Sequence, residues 1–361
     1  MTQNKKIGIL TSGGDCAGLN AVIRSVVNCA TSLGWAVYGI CDGTEGLTDN
    51  PMRYEILTPQ NFSDMPWPRV AGSYLGSLNK GVKVEDKEII SKKFGEGARK
   101  LGLSAVVVVG GDGSMNILSN YCKIAGVNMI GIPKTMDNDT PITELSVGFM
   151  SSFQTCTDAV DSLNNTARSH HRAMILEVMG RDAGHLAIRT ALAGFADVCL
   201  VPEIPYTIDG IINKLKEIKA TGRTHSVIVV SEGVKTETGE LTDSGTTNLL
   251  GERVNGGIGD YLTHAISERY KDFQIRSTKL GHVQRGTDPI AEDRLLATLF
   301  GAKAVELLQE GQSNCMVSWN NGKVISVPLE EVVKVGTATL DINSDYVSAA
   351  RALGMYIGDF K

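Results

Sequence analysis

Short runs of β-branched and other apolar residues alternate along the chain with longer stretches whose apolar positions recur every three or four residues. That alternation predicts parallel βαβ units. Strands are expected at residues 5–11, 36–40, 105–109, 129–132, 172–178, 198–202, 226–230 and 274–279, with helices between them. The first helix is expected at 19–33: Leu19, Val22, Ile23, Val26, Val27, Ala30 and Leu33 share one face, and Gly34 supplies the stop. A long helix is expected at 291–309. Beyond it, apolar runs at 315–319 and 323–327 flank Asn320, Asn321 and Gly322, a hairpin signal, and a short helix at 346–353 closes the chain.

The turns between these elements carry the candidate chemistry. After the apolar run at 105–109 comes Gly110, Gly111, Asp112, Gly113, Ser114; glycines let the backbone approach an anion, and Asp112 can hold a divalent cation between phosphates. After the next strand comes PKTMDND at 133–139, where Asp137 and Asp139 stand beside Lys134 and Thr135. This is the mix needed to deprotonate a hydroxyl next to a phosphate donor. A third loop, Ser12, Gly13, Gly14 and Asp15, follows the first strand with the layout of a phosphate loop but without the Walker lysine. Acidic turns at the carboxyl ends of consecutive strands point into one crevice of an open α/β sheet, so the chemistry indicated is phosphoryl transfer.

Composition narrows the classes. At 361 residues, 42% hydrophobic, the chain is expected to form about two domains with a core that needs no staples. A net charge of -5 with no basic cluster argues against nucleic-acid binding, and no apolar run approaches a membrane span, so a cytoplasmic protein without signal peptide or anchor is expected. Seven cysteines without a CxxC pair fit reduced, mostly buried thiols, with Cys16 a small filler in the first loop. No linker, repeat or low-complexity stretch marks a domain boundary.

In chain order the motifs TSGGD at 11–15, GGDGS at 110–114, PKTMDND at 133–139, MGR at 179–181, SEG at 231–233 and LGHVQRG at 280–286 resemble those of the phosphofructokinase family. The resemblance implies two Rossmann-like, three-layer α/β lobes with mostly parallel sheets and a cleft between them. Residues 1–148 plus 284–334 would form the phosphoryl-donor lobe, and 149–283 plus 335–361 the sugar-phosphate lobe. It also implies a homo-oligomer, a homotetramer by analogy, that moves the terminal phosphoryl group of ATP to the 1-hydroxyl of fructose 6-phosphate with Mg2+. Asp137 would be the base, with Thr135, Asp139 and Arg181 around the reacting group, and Asp112 would hold the metal. Gly14, Gly111, Asp112, Gly113, Ser114, Lys134 and Lys80 would meet the donor. Met179, Gly180, Arg181 and Glu232 would meet the sugar together with Thr135, and Arg172, Arg276, His282 and Arg285 its 6-phosphate, with Arg172 and Arg276 supplied by a neighbouring subunit. His170 and His171 match no ligand and read as local structure.

The donor is where the signals diverge. By the resemblance, Gly113 leaves room for a nucleotide α-phosphate, whereas Lys134 stands where common bacterial ATP enzymes carry Gly and pyrophosphate enzymes carry Lys. Asn79 replaces an arginine of the ATP enzymes, with Lys80 or Lys83 as substitutes, and Ile117 replaces a glycine near the adenine. ATP is the expected donor, with a pyrophosphate-dependent enzyme as the alternative. A catalytically silent sugar-phosphate sensor is a remoter one, as is an NAD or lipid kinase with the same GGDG loop. Arg24 and Arg223 match a family effector site in which Asn28, Asn164 and Thr221 replace basic residues.

Overall fold

The computed structural model describes residues 5–63, 66–77, 87–247 and 253–359. The chain divides into two compact units, Met1–Ser151 with Arg285–Ala338, and Ser152–Gln284 with Thr339–Lys361. In chain order the elements begin β1 (Lys6–Thr11), α1 (Leu19–Ser32), β2 (Ala36–Ile40), α2 (Glu45–Thr48), β3 (Tyr54–Leu57), α3 (Lys87–Leu101), β4 (Ala105–Gly110), α4 (Asp112–Ala125), β5 (Asn128–Pro133) and α5 (Phe149–His170). There follow β6 (Arg172–Val178), α6 (His185–Ala193), β7 (Val198–Leu200), α7 (Ile208–Ala220), β8 (Ser226–Ser231), β9 (Asp243–Thr247), β10 (Arg253–Asn255), α8 (Ile258–Arg269) and β11 (Gln274–Lys279). The chain ends with α9 (Ala291–Gln309), β12 (Cys315–Asn320), β13 (Lys323–Pro328), α10 (Leu329–Val335) and α11 (Asp345–Ala352).

The first unit is built on a seven-stranded sheet in the order β13-β12-β5-β4-β1-β2-β3. Its inner strands run parallel, and the edge strands β3 and β13 are antiparallel. β4 explains why a parallel strand reads as an unbroken apolar run: Val107 and Val109 pack with Val22, Val26 and Phe300 on one face, while Val106 and Val108 pack with Phe94 and Leu118 on the other. Helices cover both faces, so every side chain of the strand is buried. The hairpin at Asn321 and Gly322 forms as expected, with both residues at positive φ (47° and 74°), the backbone an I′ turn demands.

The second unit carries a four-stranded parallel sheet, β11-β6-β8-β7, and the separate antiparallel pair β9 and β10. Ile175, Ile228 and Val230 of this sheet pack with Ile211 and Leu215 of α7 and with Ile258 and Leu262 of α8. The strand expected at 198–202 stops at Leu200, where the chain enters a turn.

Candidate active site

β1 is flanked by β2 on one side and β4 on the other, so the chain direction across the sheet reverses between β1 and β4. Loops leaving strands at such a switch point diverge and leave a crevice for a ligand. Here the loops after β1, β4 and β5 are tied together. Ser12 N–H donates to Val109 O at 2.9 Å, the Ser114 hydroxyl donates to Ser12 Oγ at 3.0 Å, and Lys134 N–H donates to Gly110 O at 2.9 Å. The Lys134 ammonium donates to the Gly14 carbonyl. It is 3% exposed, and burial pushes its ammonium pKa down, as does the nearby Arg285. Arg285 Nη1 in turn donates to Asp15 O at 2.9 Å, and a Cβ on Gly14 would lie 2.7 Å from that nitrogen. Cations therefore hold the first loop from two sides, and the Arg285 guanidinium occupies the space a side chain at Gly14 would take.

GGDGS is tighter than a free loop. Gly111 caps α4, which begins at Asp112, so Asp112, Gly113 and Ser114 form the first turn of a 14-residue helix. Helix N-termini favour anions. Gly110 is needed locally, since a Cβ there would meet Ser114 Cβ at 2.5 Å. Gly113 is different: its φ is not positive, it is exposed, and a Cβ would meet nothing within 4 Å. Neither backbone nor packing explains that glycine. Beside the first loop lies a pocket of about 410 Å³ lined by Gly13, Gly14, Asp15, Asp42, Ser73, Gly76 and Ser77. Lys80, Asn79 and Lys83 fall outside the described residues.

The PKTMDND loop is rigid for reasons its sequence only hints at. Asn138 takes the left-handed backbone (φ 54°) that Asn tolerates. Its side chain donates to Glu144 O at 3.0 Å and accepts from Ser146 N–H at 3.0 Å and Ser146 Oγ at 3.0 Å. Asp137 N–H donates to Thr135 Oγ1 at 3.1 Å, which fixes the base candidate beside the hydroxyl. Behind the loop, Thr135 N–H donates to Val147 O at 3.2 Å and Val147 N–H to Pro133 O at 3.1 Å. The next residue, Gly148, donates to buried Asp293 of α9 at 3.0 Å, and the same carboxylate accepts from Ser151 N–H at 2.6 Å.

Asp137 and Asp139 are both 4% exposed. Burial pushes the Asp139 carboxyl up to about 6, helped by the charges of Asp137 and Asp112. Its Oδ1 is buried with no hydrogen-bond partner. A hydrogen bond from Thr135 opposes that rise, and a nearby cation would offset the negative charge that remains. Asp112, whose Oδ2 accepts from Thr337 Oγ1 at 2.8 Å and Oδ1 from Gly113 N–H at 2.6 Å, is the more accessible ligand. Among the described residues no group of three or more His, Cys, Asp or Glu is placed to hold a metal ion.

A pH prediction follows from Asp139. With a folded-state pKa of about 6 against an ordinary 3.8, the folded protein keeps a proton that the unfolded chain has released. Stability therefore falls as pH rises from about 4 through about 6, by about 3 kcal/mol for a shift of roughly two units. In protein free of metal and nucleotide, Asp139→Asn should be more stable than wild type near pH 8, with the gain fading near pH 4. Denaturant midpoints at both pH values measure this; a difference that does not change with pH would refute it.

The second unit holds most of the expected sugar-phosphate residues. Gly180 (φ 145°) and Arg181 (φ 46°) form the MGR turn, and Gly233 of SEG is compulsory because a Cβ would lie 1.7 Å from Arg181 O. Glu232 N–H donates to Val178 O at 2.8 Å, so the MGR and SEG turns leave adjacent strands β6 and β8 side by side. Arg172 pairs in register with Gln274, and Arg276 with Met174. Period-two alternation then sets both arginines on one face of the sheet. Arg172 Nε donates to Gln274 Oε1 at 2.6 Å, and His282 is exposed in the short turn Gly281–Gln284. His171 lies in a left-handed turn with its ring on Thr224, in keeping with a local role. Of the effector candidates, Arg24 is exposed on α1, whereas Arg223 forms an ion pair with Asp197. All seven cysteines are free, and burial pushes the Cys16 thiol up to about 12 while it donates to Val147 O, the behaviour of a packing residue.

Doubly wound parallel strands, anion-shaped loops at the switch point and two buried carboxylates beside a helix N-terminus define an α/β phosphoryl-transfer protein. A sequence model of the family described as Phosphofructokinase matches residues 6–308. The chain belongs to the phosphofructokinase family. It is 43% identical to ATP-dependent 6-phosphofructokinase 1 of Synechocystis sp. over 99% of this chain and 100% of that one, and 40% identical to ATP-dependent 6-phosphofructokinase 2 of Clostridium perfringens over the same shares. Among solved structures it is similar to phosphofructokinase from Saccharomyces cerevisiae, at 26% identity and a TM-score of 0.77, covering 97% of this chain but 46% of the yeast chain. A pyrophosphate-dependent phosphofructokinase from Marinobacter aquaeolei shares the fold, at 22% identity and a TM-score of 0.79 over 99% of this chain and 93% of that one.

Proposed function

We propose that this chain is an ATP-dependent 6-phosphofructokinase: it transfers the terminal phosphoryl group of ATP to the 1-hydroxyl of fructose 6-phosphate, giving fructose 1,6-bisphosphate and ADP. The observation that carries the reading is the set of three tied loops around Asp112, Asp137 and Asp139, in a chain whose full-length relatives bear that name. Asp137 takes the proton of the 1-hydroxyl as its oxygen bonds to phosphorus and the bond to the ADP oxygen breaks. Thr135 orients Asp137. Mg2+, when bound at Asp112, neutralises charge on the phosphate oxygens. The first turn of α4 and Lys134 hold the donor side, while Met179, Gly180, Arg181 and Glu232 hold the sugar. Arg285, His282, Arg172 and Arg276 bind its 6-phosphate, the last two across a subunit boundary of a homotetramer. No helix among the described residues is long and apolar enough to cross a membrane.

The test is a coupled assay on fructose 6-phosphate with ATP, ADP and pyrophosphate as separate donors. ATP should give the highest kcat/KM. Faster turnover with pyrophosphate would overturn the donor assignment and make Lys134 the better guide.

Control by ADP should be weak. Asn28, Asn164 and Thr221 stand where the family carries cations, and Arg223 is already engaged by Asp197. Charge-assisted phosphate contacts are worth about 1.5–3 kcal/mol each, so losing three weakens a diphosphate effector by several orders of magnitude. Fructose 6-phosphate saturation curves with and without ADP at fixed magnesium should nearly coincide. A strong leftward shift that Arg24→Ala abolishes would show a working site.

A further inference from the structure

We propose that Gln284 is a positioning residue for the sugar phosphate, its buried side-chain amide bracing the backbone of the MGR turn against the turn that carries His282. The proposal rests on the reading that those two turns bind fructose 6-phosphate. Gln284 is 0% exposed in the second unit. Its Oε1 accepts from Met179 N–H at 3.1 Å and from the Cys156 thiol at 3.1 Å, and its Nε2 donates to Gly281 O at 2.9 Å. Its own carbonyl accepts from Ser152 Oγ at 3.0 Å. The amide orientation is fixed by its partners, because a backbone N–H can only donate and a carbonyl can only accept.

One side chain thus spans three segments: α5, the turn after β6 and the turn after β11. A buried primary amide gains nothing from apolar packing and costs stability unless every polar atom is matched. Here both ends are matched, and two of the partners are backbone atoms of the turns assigned to the sugar. Met179 precedes Gly180 and Arg181, whose positive φ values are backbone conformations that the surrounding contacts must hold in place. Gly281 immediately precedes His282. A rigid link of one side-chain length between the two turns fixes the spacing of the groups they present, which is what a binding site for a phosphorylated sugar requires.

Glutamate at this position keeps the shape and makes the brace depend on one proton. The neutral acid has an O–H to donate to Gly281 O and an oxygen to accept from Met179 N–H. The carboxylate has no donor and would face the Gly281 carbonyl at hydrogen-bond distance. Burial raises the pKa of such a group, so the switch falls in an accessible range. Of the four partners only Cys156 titrates, and burial pushes its thiol up, so it stays a donor throughout. His282, exposed in the same turn, is common to variant and wild type, so their ratio isolates the change at position 284.

The experiment is steady-state kinetics of wild type and Gln284→Glu between about pH 5.5 and 8.5. The variant-to-wild-type ratio of KM for fructose 6-phosphate should be near one at the acid end and rise to about tenfold or more at the alkaline end, while the ratio for ATP stays flat. A flat ratio for fructose 6-phosphate, or a parallel rise for both substrates, overturns the proposal. Gln284→Met, which buries no charge, provides a second route: it should raise KM for fructose 6-phosphate by about tenfold at every pH and leave KM for ATP alone. Wild-type KM in that variant, or failure of both variants to fold, would also overturn it. His282→Ala separates this idea from the one beneath it. If His282→Ala raises KM for the sugar and the Gln284 variants do not, the positioning role is wrong; if His282→Ala itself has no effect, the assignment of the sugar site is wrong.

Discussion

Replacing Asp137 with serine should lower kcat by roughly 10² to 10⁴, the range for loss of a general base, with much smaller changes in KM for either substrate. The expectation rests on how the carboxylate is held. Asp137 is buried, its N–H is tied to Thr135 Oγ1, and the neighbouring Asn138 is pinned by three hydrogen bonds. The loop therefore has little freedom to bring a substitute base into place. Serine is smaller and removes a buried charge from a crowded set of carboxylates, so folding should not suffer. Single-turnover and steady-state rates with a thermal unfolding control measure this, and a loss in kcat below about tenfold would reject Asp137 as the base.

Much of the fold was legible because parallel strands covered on both faces read as unbroken apolar runs. β4 and β8 are buried along their whole length, and four of the six residues in each are valine or isoleucine. One strand that escaped notice sits at an edge. β3, Tyr-Glu-Ile-Leu, is half polar and four residues long, as an exposed edge strand can be. α3 carries so many lysines and glutamates that its buried face, Phe94 and Ala98, is hard to see. The division into units left no trace in composition for a physical reason: one boundary, at Ser151, falls inside the continuous 22-residue helix α5, so no linker exists to be read.

The candidate site shows the same split between local and distant causes. Gly14, Asp112, Asp137 and Arg181 announce themselves by motif, since the chemistry of each is carried by its own side chain or backbone. Gln284, Asp293 and Asn138 act through partners: Asp293 meets Gly148 across 145 positions of sequence, and no local pattern predicts such a pairing. A buried polar residue inside a motif is the available signal, and Gln284 within LGHVQRG carried it. Lys134 shows the limit from the other side. The sequence offered it as a donor-binding cation, and the structure shows its ammonium on the Gly14 carbonyl, tying the loop after β1 to the loop after β5.

Gly113→Asp should cost most of the ATP-dependent activity while leaving the protein folded. The folding half follows from the structure, because a side chain at Gly113 has open space around it, the backbone there is accessible to any residue, and an acidic residue in the first turn of α4 favours the helix dipole. The functional half follows from the same emptiness. On the proposed reading, a glycine that neither packing nor backbone requires, in the first turn of α4, leaves room for the nucleotide. An aspartate there would meet the α-phosphate of a nucleotide with both bulk and like charge. Two unit charges about 4 Å apart repel by about 4 kcal/mol at an effective dielectric near 20, which corresponds to roughly a thousandfold loss in kcat/KM for ATP. Pyrophosphate has no α-phosphate to exclude, so any residual pyrophosphate activity should fall far less. The measurement is kcat/KM for both donors in wild type and variant, with unfolding midpoints alongside. Equal losses for the two donors would show that Gly113 does not discriminate between them, and a loss of ATP use below about tenfold would place the nucleotide elsewhere in the crevice.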